Sequence, residues 1–328
     1  MSRPDAFSFT RYLAAKKTLD DRALNRRVFN TLESSLSLFP GSAPLRVLEV
    51  GCGIGTMVER LLEWGVLRNA VYTAIDLEPE NIAAARERLG LYAAGRGYRV
   101  REEAGSLCLE PGPGQSLQLV LEAMDLHDFL QREQGRRGWD LLLAHAFLDL
   151  VDLPSTLPPL LSLLAPGGLY YFTLNFDGST IFLPAIDQDL DRRIEEFYNQ
   201  TMDQRRIKGR PSGHSQTGRE LSRLLPDLGT RVLAAGNSDW LVFPGPEGYP
   251  GDEAYFLHFI THTLAGALHG HPQLDQNRFQ DWLAERHRQI DRGELIYLAR
   301  QLDFLGILGE SDGRGLRTTV SQNGLIVC

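Results

Sequence analysis

The stretch Val47-Leu-Glu-Val-Gly-Cys-Gly-Ile-Gly-Thr-Met57 decides how this chain is read. Branched and aliphatic residues run into three glycines at alternate positions, Gly51, Gly53 and Gly55, and a helical pattern opens directly after them. A strand that turns sharply into a helix needs positive φ and close backbone approach, which glycine permits without a Cβ clash. Turns of this kind seat nucleotide-type cofactors at a helix N-terminus. The dinucleotide fingerprint G-x-G-x-x-G would place its third glycine at position 56, where Thr56 stands. Glu49, two residues before the first glycine, leans the same way because a carboxylate repels a diphosphate. It suits an ammonium group instead.

Two further strand-like runs end in acids. Val71-Tyr-Thr-Ala-Ile-Asp76 is followed by Pro79 and a helical stretch from Asn81 to Leu89, which puts Asp76 at a carboxyl strand end. A carboxylate there can accept both ribose hydroxyl protons. Leu117-Gln-Leu-Val-Leu-Glu-Ala-Met-Asp125 alternates and ends in a third acid, with Met124 able to lie flat against adenine and Asp125 to accept from its exocyclic amine. The order Glu49, Gly51, Gly53, Gly55, with Asp76 and Asp125 at the next strand ends, resembles motif I and its partners in class I S-adenosylmethionine-dependent methyltransferases. The resemblance covers about 45–175 and implies that Glu49, Asp76 and Asp125 serve the methionine amine, the ribose and the adenine of S-adenosylmethionine. By the same resemblance Cys52, Leu77, Leu126 and His145 line the cofactor site.

The alternation of strands and helices from about residue 45 to 175 predicts a parallel sheet covered on both faces. Five strands are expected at Leu45–Val50, Val71–Asp76, Leu117–Asp125, Trp139–His145 and Gly168–Asn175, the last preceded by a leucine-rich helix and Ala165-Pro-Gly-Gly168. The resemblance implies an α/β, Rossmann-like sheet of seven strands, mostly parallel with the last antiparallel, and 231–243 with 294–304 are the segments able to complete it. The expected organisation is an N-terminal helical segment (1–40) over the site, a cofactor core (41–176), helical lid or acceptor insertions (177–292), a final core strand (293–306) and a tail (307–328). Asn175-Phe-Asp-Gly178 reads as an Asx-type turn or a polar substrate group at the same edge.

Composition bounds the function. A formal charge of −8 and 43% hydrophobic residues describe an acidic globular chain, which disfavours a nucleic-acid partner. The three cysteines, Cys52, Cys108 and Cys328, lack C-x-x-C spacing, so neither a disulfide frame nor a metal site is expected. No apolar run reaches the ~20 residues of a membrane span, and a cytoplasmic protein without a membrane partner is the expectation. The oligomeric state is not readable.

Methyl transfer from a sulfonium is an in-line displacement, so alignment and exclusion of water matter most. A hydroxyl or ammonium acceptor also needs a base. His145 ends the fourth strand and titrates near neutrality when unperturbed; base and pocket liner are both open readings for it. Tyr12, Lys16, Lys17 and Arg22 on the N-terminal helices could reach a carboxylate of cofactor or substrate. His258 and His262 lie one helical turn apart, on one face with Tyr255, and with Tyr12 and Asn175 they are the substrate-contact candidates. The basic run Arg205-Arg-Ile-Lys-Gly-Arg210 suits an anion or a solvated loop. The Asn-Pro-Pro-Tyr tetrad of DNA and protein-amide enzymes is replaced by His145-Ala-Phe-Leu148, which favours a small-molecule acceptor with an O or N nucleophile. A protein that binds the cofactor without transfer, a nicotinamide dehydrogenase, and an RNA or protein methyltransferase stand as alternatives.

Overall fold

The computed structural model describes Pro4 and residues 6–39, 43–103, 105–207 and 209–309. Lys208 of the basic run and the expected tail from residue 310, including Leu325-Ile-Val327 and Cys328, lie outside the described residues. Three helices come first: α1 (Phe9–Ala15), α2 (Lys17–Ala23) and α3 (Arg26–Leu36). Then follow β1 (Leu45–Val50), α4 (Thr56–Glu63), β2 (Asn69–Asp76), α5 (Pro79–Gly95), β3 (Arg99–Glu103), β4 (Ser106–Glu110), β5 (Ser116–Ala123) and α6 (Leu126–Arg132). β6 (Trp139–His145) leads through a 3-10 turn at Leu148–Leu150 to α7 (Leu153–Leu161) and the long β7 (Leu164–Leu183). The remainder is α8 (Gln188–Gln204), the short ladder β8 (Arg206–Ile207) and β9 (Arg210–Pro211), α9 (Thr217–Asp227), β10 (Thr230–Asn237), β11 (Trp240–Val242), α10 (Glu253–Ala267), α11 (Gln276–Asp291) and β12 (Ile296–Leu308). No described helix is long and apolar enough to cross a membrane.

The main sheet has ten strands in the order β10-β12-β7-β6-β1-β2-β5-β4-β3, with β11 added on β12. β1 pairs in parallel with β2 and β6, β2 with β5, and β6 with β7, while β12 runs antiparallel between β7 and β10. The chain is therefore α/β with a mostly parallel sheet and an antiparallel last strand, as expected. The expected count of seven is too small. Strands β5, β2, β1, β6, β7, β12 and β10 make the seven-stranded core, and the hairpin β3–β4 and strand β11 extend it. The outer strand, Arg99-Val-Arg-Glu-Glu103, escapes a reading by hydrophobic pattern because it is an edge strand whose single apolar residue, Val100, packs on the core.

A second correction concerns residues 175–178. No turn occurs there: β7 runs through Asn175 and on to Leu183. The strand bends instead, with Leu174 at φ 55 and Gly178 at φ 80 and with register irregularities against β12. Asn175 is buried and its Nδ2 donates to Leu302 O at 2.8 Å.

Helices cover both sheet faces, as a parallel sheet requires. Val28 and Leu32 of α3, Val58 and Leu61 of α4, and Leu89 of α5 bury against one face. Phe129 of α6, Leu157 and Leu160 of α7, and Leu221 and Leu225 of α9 bury against the other. Helix α9 thus belongs to the sheet, although it falls in the stretch expected to form a lid. α8 and α11 share a small core of Ile194, Phe197, Leu264, Phe279 and Trp282 with one side of α10, whose Tyr255, Phe256 and Leu257 pack with Trp240 and Val242 of β11 and Tyr297 and Ala299 of β12.

Asp303, fully buried in β12, ties the N-terminal helices to this frame. Its carboxylate accepts from the backbone N–H of Asn25, at the start of α3, and of Leu174, each at 2.8 Å. Asp303→Ala would strand both amides, and each unsatisfied buried group costs about 1–3 kcal/mol. The variant is expected to lose stability by about that amount or more in urea unfolding, with faster proteolysis ahead of β1.

Candidate functional site

The glycine turn is built as its spacing demands. Gly51, Gly53 and Gly55 have φ of 68, 53 and 77°, a left-handed region that other residues rarely adopt. A Cβ on Gly51 would lie 2.0 Å from the Phe147 ring, so the ring rests on bare backbone there. Leu13 of α1 packs over Gly53, 3.1 Å from the corresponding position. Asp76 locks the turn from β2: its Oδ2 accepts from Gly53 N at 2.8 Å, and its Oδ1 from Glu78 N at 3.0 Å and Asn81 Nδ2 at 2.9 Å. Beyond it Leu77 is 56% exposed, an apolar side chain left open beside the turn. Met124 packs partly into the core, and Asp125 caps α6, which begins at Leu126, by accepting from His127 N at 2.8 Å.

Glu49 is buried in β1 and accepts from the Tyr72 hydroxyl at 2.7 Å. Burial pushes its carboxyl up to about 8, only partly offset by the Tyr72 bond and by the nearby Arg60. Burial raises the Cys52 thiol as well, so this cysteine is an inert wall residue.

His145 ends β6 in a cluster that joins distant elements. Its Nε2 lies 3.2 Å from Asp20 Oδ2 of α2, and its Nδ1 lies 2.8 Å from Thr173 Oγ1 of β7. With a carboxylate accepting at Nε2, that nitrogen carries the proton and the Thr173 hydroxyl donates to Nδ1. Arg60 Nη1, 3.4 Å from Nε2, is then a donor facing a donor and adds no bond. Burial lowers the ring to about 4, with Asp20 pulling the other way. His145 is neutral at neutral pH, and the lone pair a base would use is already engaged.

Asp20 itself is fully buried. It accepts from Trp240 Nε1 of β11 at 2.9 Å, pairs with Lys16 Nζ at 3.3 Å, and lies 4.0 Å from the buried Arg60. Burial alone would raise its carboxyl, but Lys16, His145 and Arg60 outweigh that and hold it well below the ordinary carboxylate range. Asp20, Arg60 and Trp240 were absent from the sequence candidates. The available signal was Arg60, a charge among Met57, Val58, Leu61 and Leu62 on a helix otherwise apolar at those positions.

Other candidates land in different roles. Tyr12 stacks on Phe259 and Phe256 of α10, with ring centroids at 4.2 and 5.7 Å. Tyr255 grips the N-terminal segment, accepting from Ser8 N at 2.6 Å and donating to Ser8 O at 3.1 Å, while His262 stacks on Phe7 at 4.3 Å. His258 points away from these, into a contact of 2.8 Å between its Nδ1 and that of His287 on α11. Lys17 and Arg22 are committed to protein carboxylates, Lys17 to Asp21 at 2.9 Å and Arg22 to Glu253 at 2.6 Å. Of the basic run, Arg205 turns inward to donate to Ser212 O and Asp149 O, while Arg206 and Arg210 are exposed on the short ladder. No group of three or more His, Cys, Asp or Glu able to hold a metal occurs among the described residues.

Residues 48–170, from β1 into β7, match the family model described as a methyltransferase domain. No curated protein matches the chain. Among solved structures it is similar to a SAM-dependent methyltransferase from Thiobacillus denitrificans in complex with S-adenosyl-L-homocysteine, at 14% identity over 92% of this chain and 99% of that one, with a TM-score of 0.42. It is also similar to magnesium protoporphyrin IX methyltransferase from Synechocystis PCC 6803 with bound SAH, at 13% identity over 75% and 85% of the two chains, with a TM-score of 0.39.

The buried Glu49 has a consequence for stability. A carboxyl raised to about 8 holds its proton more tightly folded than unfolded, so stability falls as pH rises from the ordinary carboxylate range to about 8. Glu49→Gln keeps an acceptor for Tyr72 and removes the titration. Melting temperature is expected to drop less between pH 5 and 8 in the variant, by an amount worth a few kcal/mol at about 1.4 kcal/mol per unit; parallel curves would show that Glu49 is charged throughout.

Proposed function

We propose that this chain, a class I S-adenosylmethionine-dependent methyltransferase with S-adenosylmethionine as its cofactor, passes the methyl group to a small-molecule acceptor through an N or O nucleophile. The observation that carries this reading is the closure of the carboxyl sheet edge. Leu13 of α1 covers the glycine turn at Gly53, α10 backs α1, and Lys16, Asp20 and Trp240 are buried beside the end of β6. A covered edge of this kind favours a small acceptor over a polymer. The charge of −8 supports the same reading.

The cofactor supplies an electrophilic methyl group on a sulfonium. The residues present fit it: a cradle of three glycines with left-handed backbone, a carboxylate at the β2 end, an exposed Leu77 flank and a second acid at the β5 end. Asp76 holds the ribose hydroxyls from the same carboxylate that holds Gly53. Met124 and Leu77 flank the adenine, with Leu126 behind, and Asp125 takes its amine. Glu49 faces the ammonium end from beneath the turn with Cys52 as wall. His145, oriented by Asp20 and Thr173, is a positioning residue that fixes the wall of the methionine end. Exclusion of water by the helical roof does the rest of the work of alignment.

The direct test is incubation with methyl-labelled cofactor and a small-molecule extract. Label in a small product is expected; label confined to RNA or protein fractions, or tight cofactor binding with no transfer, would overturn the acceptor class or the transfer. Asp76→Asn is expected to weaken S-adenosylhomocysteine binding by about 1–3 kcal/mol through lost charged hydrogen bonds. Unchanged affinity by calorimetry would remove Asp76 from the ribose.

A further inference from the structure

With both nitrogens of His145 engaged, the proton that an N–H or O–H nucleophile sheds needs a different acceptor. Asp149 stands just beyond, in the 3-10 turn after β6. Its Oδ1 is shut away from solvent and has no hydrogen-bond partner among the described residues. A buried oxygen in that condition is rare in folded chains and unfavourable, which makes it a natural place for a ligand to complete. Tyr12 of α1 and Tyr198 of α8 both lie within electrostatic reach of Asp149, and Tyr297 of β12 within reach of Tyr12 and Tyr198. Lys16 interacts with both His145 and Asp149, which places this carboxylate at the same end of the sheet as the cofactor's methionine wall. Arg205 is also near, but its Nε and Nη2 donate to the carbonyls of Ser212 and Asp149 at 2.6 and 3.0 Å, not to the carboxylate. Burial raises the Asp149 carboxyl, against the opposing pull of its own backbone amide, Arg205 and Lys16, and so strengthens it as a base.

We propose that Asp149 is the proton acceptor of the methyl transfer, serving a small molecule that presents an N–H or O–H nucleophile. The proposal rests on the methyl-transfer reading above. The nucleophile's lone pair forms the bond to the methyl carbon as the carbon–sulfur bond breaks, the released pair stays on sulfur to leave S-adenosylhomocysteine, and the nucleophile's proton passes to Asp149 Oδ1. A carboxylate acceptor would need no base and would meet the like charge of Asp149. A methyl ester is therefore not the expected product.

The test uses the full chain with methyl-labelled S-adenosylmethionine and a small-molecule extract. The labelled product is expected to survive mild alkali. Asp149→Asn should cut its formation by about 10²-fold while S-adenosylhomocysteine affinity stays close to wild type. The wild-type rate should rise with pH through an ionisation above the usual carboxylate range, and the Asn variant should lose that rise. Labelled methanol released by alkali, or an Asp149→Asn variant as fast as wild type, overturns the proposal; so does loss of the pH dependence in His145→Gln but not in Asp149→Asn. If no extract yields a labelled product, the methyl-transfer reading fails by itself. Asp149 is then judged by infrared difference spectra of wild type against Asp149→Asn. A carboxyl band that moves when S-adenosylmethionine replaces S-adenosylhomocysteine places it beside the sulfonium, and an unmoved band overturns the assignment.

Discussion

One buried carboxylate organises the functional end of this molecule. Asp20 is carried by a helix ahead of the first strand, yet it bonds the histidine at the end of β6, the indole of Trp240 on β11 and Lys16 one helical turn before it. A charge taken out of water is tolerated only when partners surround it, and these partners come from parts of the chain far apart in sequence. The carboxylate therefore sets three things together: where α2 sits, which tautomer His145 adopts, and how β11 is held against the sheet. Remove the charge and Lys16, buried beside it, loses its counterion as well.

The other buried acids show what decides the sign of such an effect. Asp20 is held ionised because cations and an imidazole face it, whereas Glu49 and Asp303 are pushed to about 8 and about 6 because burial outweighs the Tyr72 bond and Arg60 at the first and the neutral donors at the second. Asp303 accepts two backbone amides and still rises; hydrogen bonds from uncharged groups do not replace a counter-charge in a dry interior. The chain thus keeps Asp20 charged, while burial raises the carboxyls of Glu49 and Asp303.

Much of the frame was legible from local pattern. β1 and β6 fall on the expected residues, and the acids at the ends of β1, β2 and β5 follow from strand periodicity and turn chemistry. The hairpin β3–β4 was not, because β3 is a charged edge strand and the alternation of β4 is only five residues long. Nor was the passage of β7 through residues 175–178, where Asn and Gly imitate a turn but the register with β12 carries the strand on. The Asp20 cluster was beyond reach for a different reason: its bonds span 125 and 220 residues, and no local rule links a helix before the sheet to a strand near its end. Tyr255 and His262 looked like a substrate face by helical spacing; that face exists, but the chain's own N-terminal segment occupies it.

That occupation gives the roof a mechanical character. Leu13 lies directly on the glycine turn, so whatever the turn holds is pinned beneath α1. The helix is fastened at its outer side by Arg11 to Asp252 and α2 by Arg22 to Glu253, two ion pairs that land on neighbouring residues at the head of α10. The first pair faces solvent and weakens with salt, whereas Glu253 is fully buried and also accepts from Thr18, so the second is held more firmly. The roof is therefore fastened unevenly: screening by salt reaches the pair that holds α1 and spares the buried carboxylate that holds α2.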